Sequence, residues 1–195
     1  MLSLAAGATV IAVATAGCGA SAAAQGNTGA QGAPVKHIEC SQATSYASLR
    51  QLRRAATSVA VFRLAGGTRV RMIGGIPFTI ATVRVLEPLQ GKRLPAQFGL
   101  RQLGGPGFVA DQGSGCPPLV SRRDVYVAYL APFRLRRGGP RVTNQYVVVG
   151  GAQGLFEHAG PVVPANEASR SFARVGQEPG SSLPAQISIS QARHS

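Results

Sequence analysis

Short β-branched and aromatic segments, separated by glycine and proline turns, constrain the fold of this chain most strongly. Examples are "SVAVFRL" at residues 58–64, "FTIATVRVLE" at 78–87 and "DVYVAYL" at 124–130. A short helix precedes them, since apolar residues recur at helical spacing over residues 45–56 and Ser45 can cap its start. Five or six strands without a β-α-β rhythm predict an antiparallel, OB-like barrel, mainly β with one short N-terminal helix. A β-sandwich is the alternative.

The N-terminal segment predicts export. Residues 1–35 carry no charged side chain, and the apolar part, Leu2–Thr15, has the length of a signal-peptide core. It is too short for a transmembrane helix, which needs about 20 apolar residues. Small and polar residues follow, and they predict a flexible tether. We therefore expect a signal peptide at residues 1–17 and a tether at 18–44. Since no positive residue precedes the apolar core, we expect the natural start to lie upstream of Met1.

The sequence "TAGC" at residues 15–18 resembles the lipobox of bacterial lipoproteins. Two small residues precede Cys18 as in that family, while Thr15 stands where leucine is usual. The resemblance implies that the Cys18 thiol is acylated with a lipid carrying chains such as palmitate, and that cleavage makes Cys18 the new N-terminus. Secretion after cleavage at residues 20–22 or 22–24 is the alternative. A buried helix with a core cysteine is the third interpretation.

The other two cysteines, Cys40 and Cys116, form an even pair in a chain that we expect to be exported. Oxidising surroundings favour a disulfide between them, worth roughly 4–5 kcal/mol for so long a loop. The three histidines stand singly, at positions 37, 158 and 194, and there is no C-x-x-C motif. We therefore expect neither a metal site nor a cofactor.

The charge of the chain is strongly positive. Twenty Lys and Arg residues face seven Asp and Glu, and all but two of the basic residues are arginine. Arginine suits anionic partners, although a GC-rich genome also produces such a composition. The candidate anion-binding residues are Arg122, Arg123, Arg134, Arg136, Arg137 and Arg141. Export favours an anionic envelope polymer or lipid over nucleic acid as the partner. The alternative is that these arginines lie in solvated loops and bind no partner.

No group of residues predicts catalysis. The seven carboxylates are dispersed, and no nucleophile motif is present. We therefore assign no catalytic residue and expect a protein that is not an enzyme. The β-barrel domain is predicted at residues 45–164, followed by a loose C-terminal tail at 165–195, which is small, polar and interrupted by proline.

The order of several segments carries a wider resemblance. "YASLRQLRRAATSVAVFRLAG", "PFTIATVRVLEPLQGK", "FGLRQLGG", "DVYVAYLAPF" and "YVVVGGAQGLFEHAG" resemble uncharacterised actinobacterial lipoproteins and, more distantly, exported domains of the netrin/TIMP type. The resemblance covers Tyr46–Gly160 and implies an OB-like barrel. TIMP-type inhibitors reach a catalytic metal through an N-terminal cysteine pair, which Cys40-Ser41-Gln42 lacks, so inhibition is not implied.

Together these features predict a membrane-anchored extracytoplasmic lipoprotein on the outer face of the cell membrane. It would act as a binding or scaffold module, with anionic envelope components as possible partners. A secreted ligand-binding or inhibitor-like OB module is the alternative, and an enzyme of unknown type comes third.

Overall fold

The computed structural model describes residues 36–38, 44–105, 108–110, 116–122, 124–136, 138–158, 170–176 and 181–195. All of them lie in one unit, Ala33–Ser195. Its strands are β1 (Lys36–Ile38), β2 (Ser58–Ile73), β3 (Ile76–Gly91), β4 (Gln97–Leu103), β5 (Phe108–Ala110), β6 (Val125–Arg134), β7 (Arg141–Val148), β8 (Leu155–His158), β9 (Ser171–Arg174) and β10 (Gln186–Ser188). The helices are α1 (Leu49–Ala55) and α2 (Ile189–His194), and a 3₁₀ turn spans Gly151–Gly154.

Eight strands form one mixed sheet in the order β10-β9-β8-β6-β2-β3-β4-β7, while β1 and β5 pair separately. Because β7 also pairs with β6, strands β2, β3, β4, β7 and β6 follow one another in a ring. The parallel seam between β4 and β7 covers only two residue pairs, so the ring is partial. The prediction of a mainly β domain is confirmed. The expected antiparallel sheet of five or six strands with one helix was wrong, because the sheet has eight strands, one parallel seam and two short helices beside it.

The longest element is the hairpin of β2 and β3. Gly74 and Gly75 turn it with φ values of 57° and 78°, which glycine adopts at no steric cost. The segment 58–64 predicted from the sequence is only the first part of β2, which continues through Gly66 and Gly67 with a register shift between Leu64 and Thr68. A Cβ at Gly66 would lie 3.2 Å from the Thr82 Cβ, so glycine gives the irregular strand room to stay paired.

Two hydrophobic cores lie on opposite sides of β2 and β6, because successive side chains of a strand alternate between faces. The first, here called the ring core, lies inside the ring, where Phe62 packs against Phe98 and Tyr126 with ring centroids 6.1 and 5.8 Å away. The second, the outer core, contains Tyr129 and Phe156 and is covered by both helices and by β9 and β10. The fold is thus anchored on both faces of its central strands.

The helix caps and the C-terminal part differ from expectation. Helix α1 begins after Ser48, whose side chain accepts from the Gln51 amide, so Ser48 and not Ser45 is the N-cap. The C-terminal residues 170–176 and 181–195, predicted to be loose, form β9, β10 and α2, and their buried side chains include Phe172 and Ile187. These apolar residues occur singly in the sequence, which hid their shared core. No helix in the described part of the chain is long and apolar enough to cross a membrane.

Candidate functional site

Strands β2, β3 and β4 have two chemically different faces. On one face, Val83, Phe98 and Leu100 enter the ring core. On the other, the strand register aligns Arg63 with Arg84, Arg69 with Ile80 and Arg101, and Arg71 with Phe78. Residues directly opposite each other in neighbouring strands share a face. We call this set the arginine face: Arg63, Arg69, Arg71, Arg84 and Arg101.

Three arginines converge on one groove of this face. Arg63 and Arg84 line it together with Arg122, from the loop before β6, and with Gln97 of β4. The groove has a volume of about 230 Å³, and we call it the three-arginine groove. Like charges directly opposite each other destabilise a sheet. The pairing of Arg63 with Arg84 is therefore unfavourable without a ligand, and an anion would relieve it.

A second groove adjoins the first along the strands. This Arg69 groove, of about 410 Å³, lies between the hairpin and β7 and is lined by Arg69, Thr82, Gln97, Gly99 and Gln145, among others. A Cβ at Gly99 would lie 3.0 Å from the Ile80 Cγ2 and 3.4 Å from the Gln145 Cγ. Glycine at this position thus lets β7 approach β4 closely. Gln97 lines both grooves, so they adjoin each other at this side chain.

Arg101 places a further charge beside the Arg69 groove. Its side chain is only 7% exposed, and its guanidinium carbon lies 4.0 Å from the Phe133 ring centroid and 5.4 Å from that of Phe78. The Nε atom donates to the Gln145 Oε1 at 3.1 Å, while the buried Nη1 has no hydrogen-bond partner among the described residues. Burial, followed by the charge of Arg69, lowers the pKa of Arg101. No carboxylate of the described residues pairs with this guanidinium.

The carboxyl groups of the described residues lie elsewhere. Glu87 pairs with Arg193, and Asp124 accepts from the Ser121 hydroxyl. Burial and the nearby Asp124 raise the pKa of Glu157, which faces a different cleft beside β9. None of these three lines the two grooves. Within the described ranges, the positive charge of the arginine face is thus not neutralised by the protein.

The candidate anion-binding arginines predicted from the sequence lie in two separate parts of the structure. Arg122 lies in the three-arginine groove, whereas Arg134 and Arg141 face each other on β6 and β7, with exposed Arg136 in the connection. Since Arg122 precedes β6 and Arg134 ends it, the two groups lie at opposite ends of that strand. The remaining candidates, Arg123 and Arg137, lie outside the described residues.

Sequence reasoning missed the arginine face itself. Two sequence patterns could have revealed it. Arg69 and Arg71 alternate with Val70 and Met72, and Arg84 is the single charge in an otherwise apolar strand. Alternation identifies the solvent face of one strand, but only the register between strands shows that these arginines share a face. The pairing of β2 with β3 is what brings Arg63 opposite Arg84.

The cysteines contribute less to the described structure. Cys18 and Cys40 lie outside the described residues, while Cys116 is half-buried. Strands β1 and β5 pair in parallel, with Ile38 opposite Ala110. Cys40 follows β1 in the sequence by two residues, and Cys116 follows β5 by six. The Cys40–Cys116 disulfide stays a prediction. No group of three or more His, Cys, Asp or Glu residues in the described ranges could hold a metal ion.

Comparison with protein-family models, with curated proteins and with solved structures finds no match. Residue chemistry and geometry are therefore the basis for assigning a function, and the arginine face is the feature that carries it.

Proposed function

We propose that this chain is a membrane-anchored extracytoplasmic lipoprotein whose β domain binds an anionic component of the cell envelope. The observation that carries this proposal is the arginine face, with Arg122 beside it and no described carboxylate in its grooves. Guanidinium groups bind phosphate and carboxylate oxygens in pairs and are always charged. Binding, and not catalysis, is the activity that such a surface supports.

The position of this surface supports an OB-like interpretation of the fold. The ring strands run in the order β2-β3-β4-β7-β6, with β4 parallel to β7. OB folds are five-stranded, partly open barrels that bind oligomeric ligands on the face of their second and third strands and on two hairpin loops. Here β3 and β4 hold the second and third places in the ring, and they carry Arg84 and Arg101.

The anchor and the compartment belong to the same proposal. A lipid on Cys18, followed by a polar tether, would hold the domain near the outer face of the cell membrane. In that compartment the available polyanions are envelope polymers and lipid headgroups, whereas nucleic acid is not an expected partner. Neither a metal nor a cofactor is part of the proposed activity.

Binding of a labelled polyanion to the full chain tests this function. Fluorescence anisotropy with long-chain polyphosphate and with polyglutamate would be measured at low and at high salt. We expect the double variant Arg63→Gln/Arg84→Gln to bind the polyanion at least about tenfold more weakly than the natural chain. High salt should weaken binding by both proteins.

Matched controls locate the site. Arg50→Gln with Arg54→Gln removes the same charge from exposed positions of α1 and should leave the affinity nearly unchanged. Arg136→Gln tests the other group of sequence candidates. An equal loss in the α1 variant would show that net charge alone drives binding, and would overturn the proposed role of the arginine face.

A further inference from the structure

We propose that the arginine face binds a linear, phosphate-bearing polyanion that occupies both grooves at once. This inference rests on the proposed function and adds the class of ligand and its arrangement on the protein. The three-arginine groove would hold one phosphate group, and the Arg69 groove, backed by Arg101, would hold another. Gln97, which lines both grooves, would bridge them with its amide.

The spacing of the two grooves favours a chain over a single small anion. The row containing Arg84 lies four residues along β3 from the row containing Ile80 and Arg101. At about 3.3 Å per residue, the backbone positions of the two rows lie roughly 13 Å apart. Successive groups of one polymer can follow the strands from one row to the other.

The arrangement of the arginines favours phosphate over carboxylate. Arg63, Arg84 and Arg122 line the first groove from three backbone positions, on two strands and a loop. A tetrahedral phosphate offers oxygens in several directions, whereas a carboxylate offers two oxygens in one plane. The three-arginine groove therefore suits a phosphate group better.

The shape of the Arg69 groove favours a polymer over a membrane surface. The groove is lined by Gly99 and Ile80 of β4 and β3 and by Thr143, Asn144 and Gln145 of β7. Gln145 also accepts a hydrogen bond from Arg101, which is 7% exposed. A flat layer of lipid headgroups would contact the rim of this groove, whereas a single chain can lie within it.

Chain length provides the test. The full chain would be titrated with tripolyphosphate and with long-chain polyphosphate, each affinity being expressed per phosphate. Occupation of two linked sites raises the effective concentration at the second site. We therefore expect the long chain to bind at least about tenfold more tightly. Arg69→Gln should bring the long-chain affinity close to that of tripolyphosphate, while leaving tripolyphosphate binding in the three-arginine groove unchanged.

Arg50→Gln serves as the control of equal charge, and thermal unfolding checks that each variant is folded. The two-groove inference would be overturned if short and long polyphosphate bound with equal affinity. It would also be overturned if Arg69→Gln lowered the long-chain affinity no more than Arg50→Gln does. Both results would leave the proposed function intact.

Binding of polyglutamate as tight as that of polyphosphate would overturn the phosphate assignment. Stronger binding to phosphatidylglycerol vesicles than to polyphosphate would replace the polymer with a membrane. Failure to bind any polyanion would overturn the proposed function itself.

Discussion

The two halves of the β2–β3 hairpin use the same backbone pairing for different purposes. In the half near Ser58 and Gly91, β2 lies between the two cores, and Phe62 is fully buried. In the half near the turn, one face carries arginines, and Val70, Met72 and Ile76 are 41, 58 and 46% exposed. The first half therefore supplies most of the stability and carries Arg63 and Arg84 on its outer face, while the second half carries Arg69 and Arg71 and has little core beneath it. This separation allows the outer half to carry unpaired charges that a core could not tolerate.

The largest expected effect comes from the buried half. Phe62→Ala removes a ring that packs against Phe98 and Tyr126 in the ring core. Large-to-small changes at such sites cost about 3–5 kcal/mol. Met72→Ala in the exposed half should change the free energy of unfolding by less than about 0.5 kcal/mol. Urea denaturation measures both. Similar losses in the two variants would contradict the division of the hairpin.

A smaller effect of opposite sign is expected on the arginine face. Arg63→Gln removes one of two like charges that lie opposite each other on β2 and β3. Cross-strand pairs contribute about 0.2–1 kcal/mol, so the variant should be slightly more stable than the natural protein while binding polyanions less tightly. Denaturation at low and high salt measures the effect, since screening should reduce it. A clear loss of stability would mean that Arg63 has a structural role.

The smallest effect concerns pH. Glu157 lies opposite Tyr126 in the sheet, next to Asp124, and its pKa is raised by burial and by that neighbour. A raised folded-state pKa gives stability that is fully present below the unfolded value, about 4.3, and is lost as the pH rises through the folded value. Glu157→Gln should remove this loss, so the variant should gain relative stability above about pH 5. Thermal unfolding from pH 4 to 7 tests this, and parallel curves for the two proteins would contradict it.

The sequence alone predicted where several strands lie but not how they pair or which side chains they bring together. Alternation and turn residues predicted the mainly β class and the positions of β3 and β6 to within a few residues. They could not give the parallel seam of β4 with β7, which depends on contacts between distant parts of the chain. Phe172 and Ile187 were missed for the same reason, because isolated apolar residues show no period. Arg122 was identified as a candidate, but its partners Arg63 and Arg84 emerge only from strand register.

The narrow seam between β4 and β7 has a consequence for motion. Only Gly99 and Leu100 pair with β7, and the Arg101–Gln145 hydrogen bond adds one further link across it. Regions with few pairings open at a lower free energy than the rest of a fold. The Arg69 groove has walls on both sides of this seam, so a ligand seated there would join the two strands and raise the free energy of that opening. The β4–β7 seam, which is the least paired part of the ring, is thus also the place where a bound ligand would most stabilise ring closure.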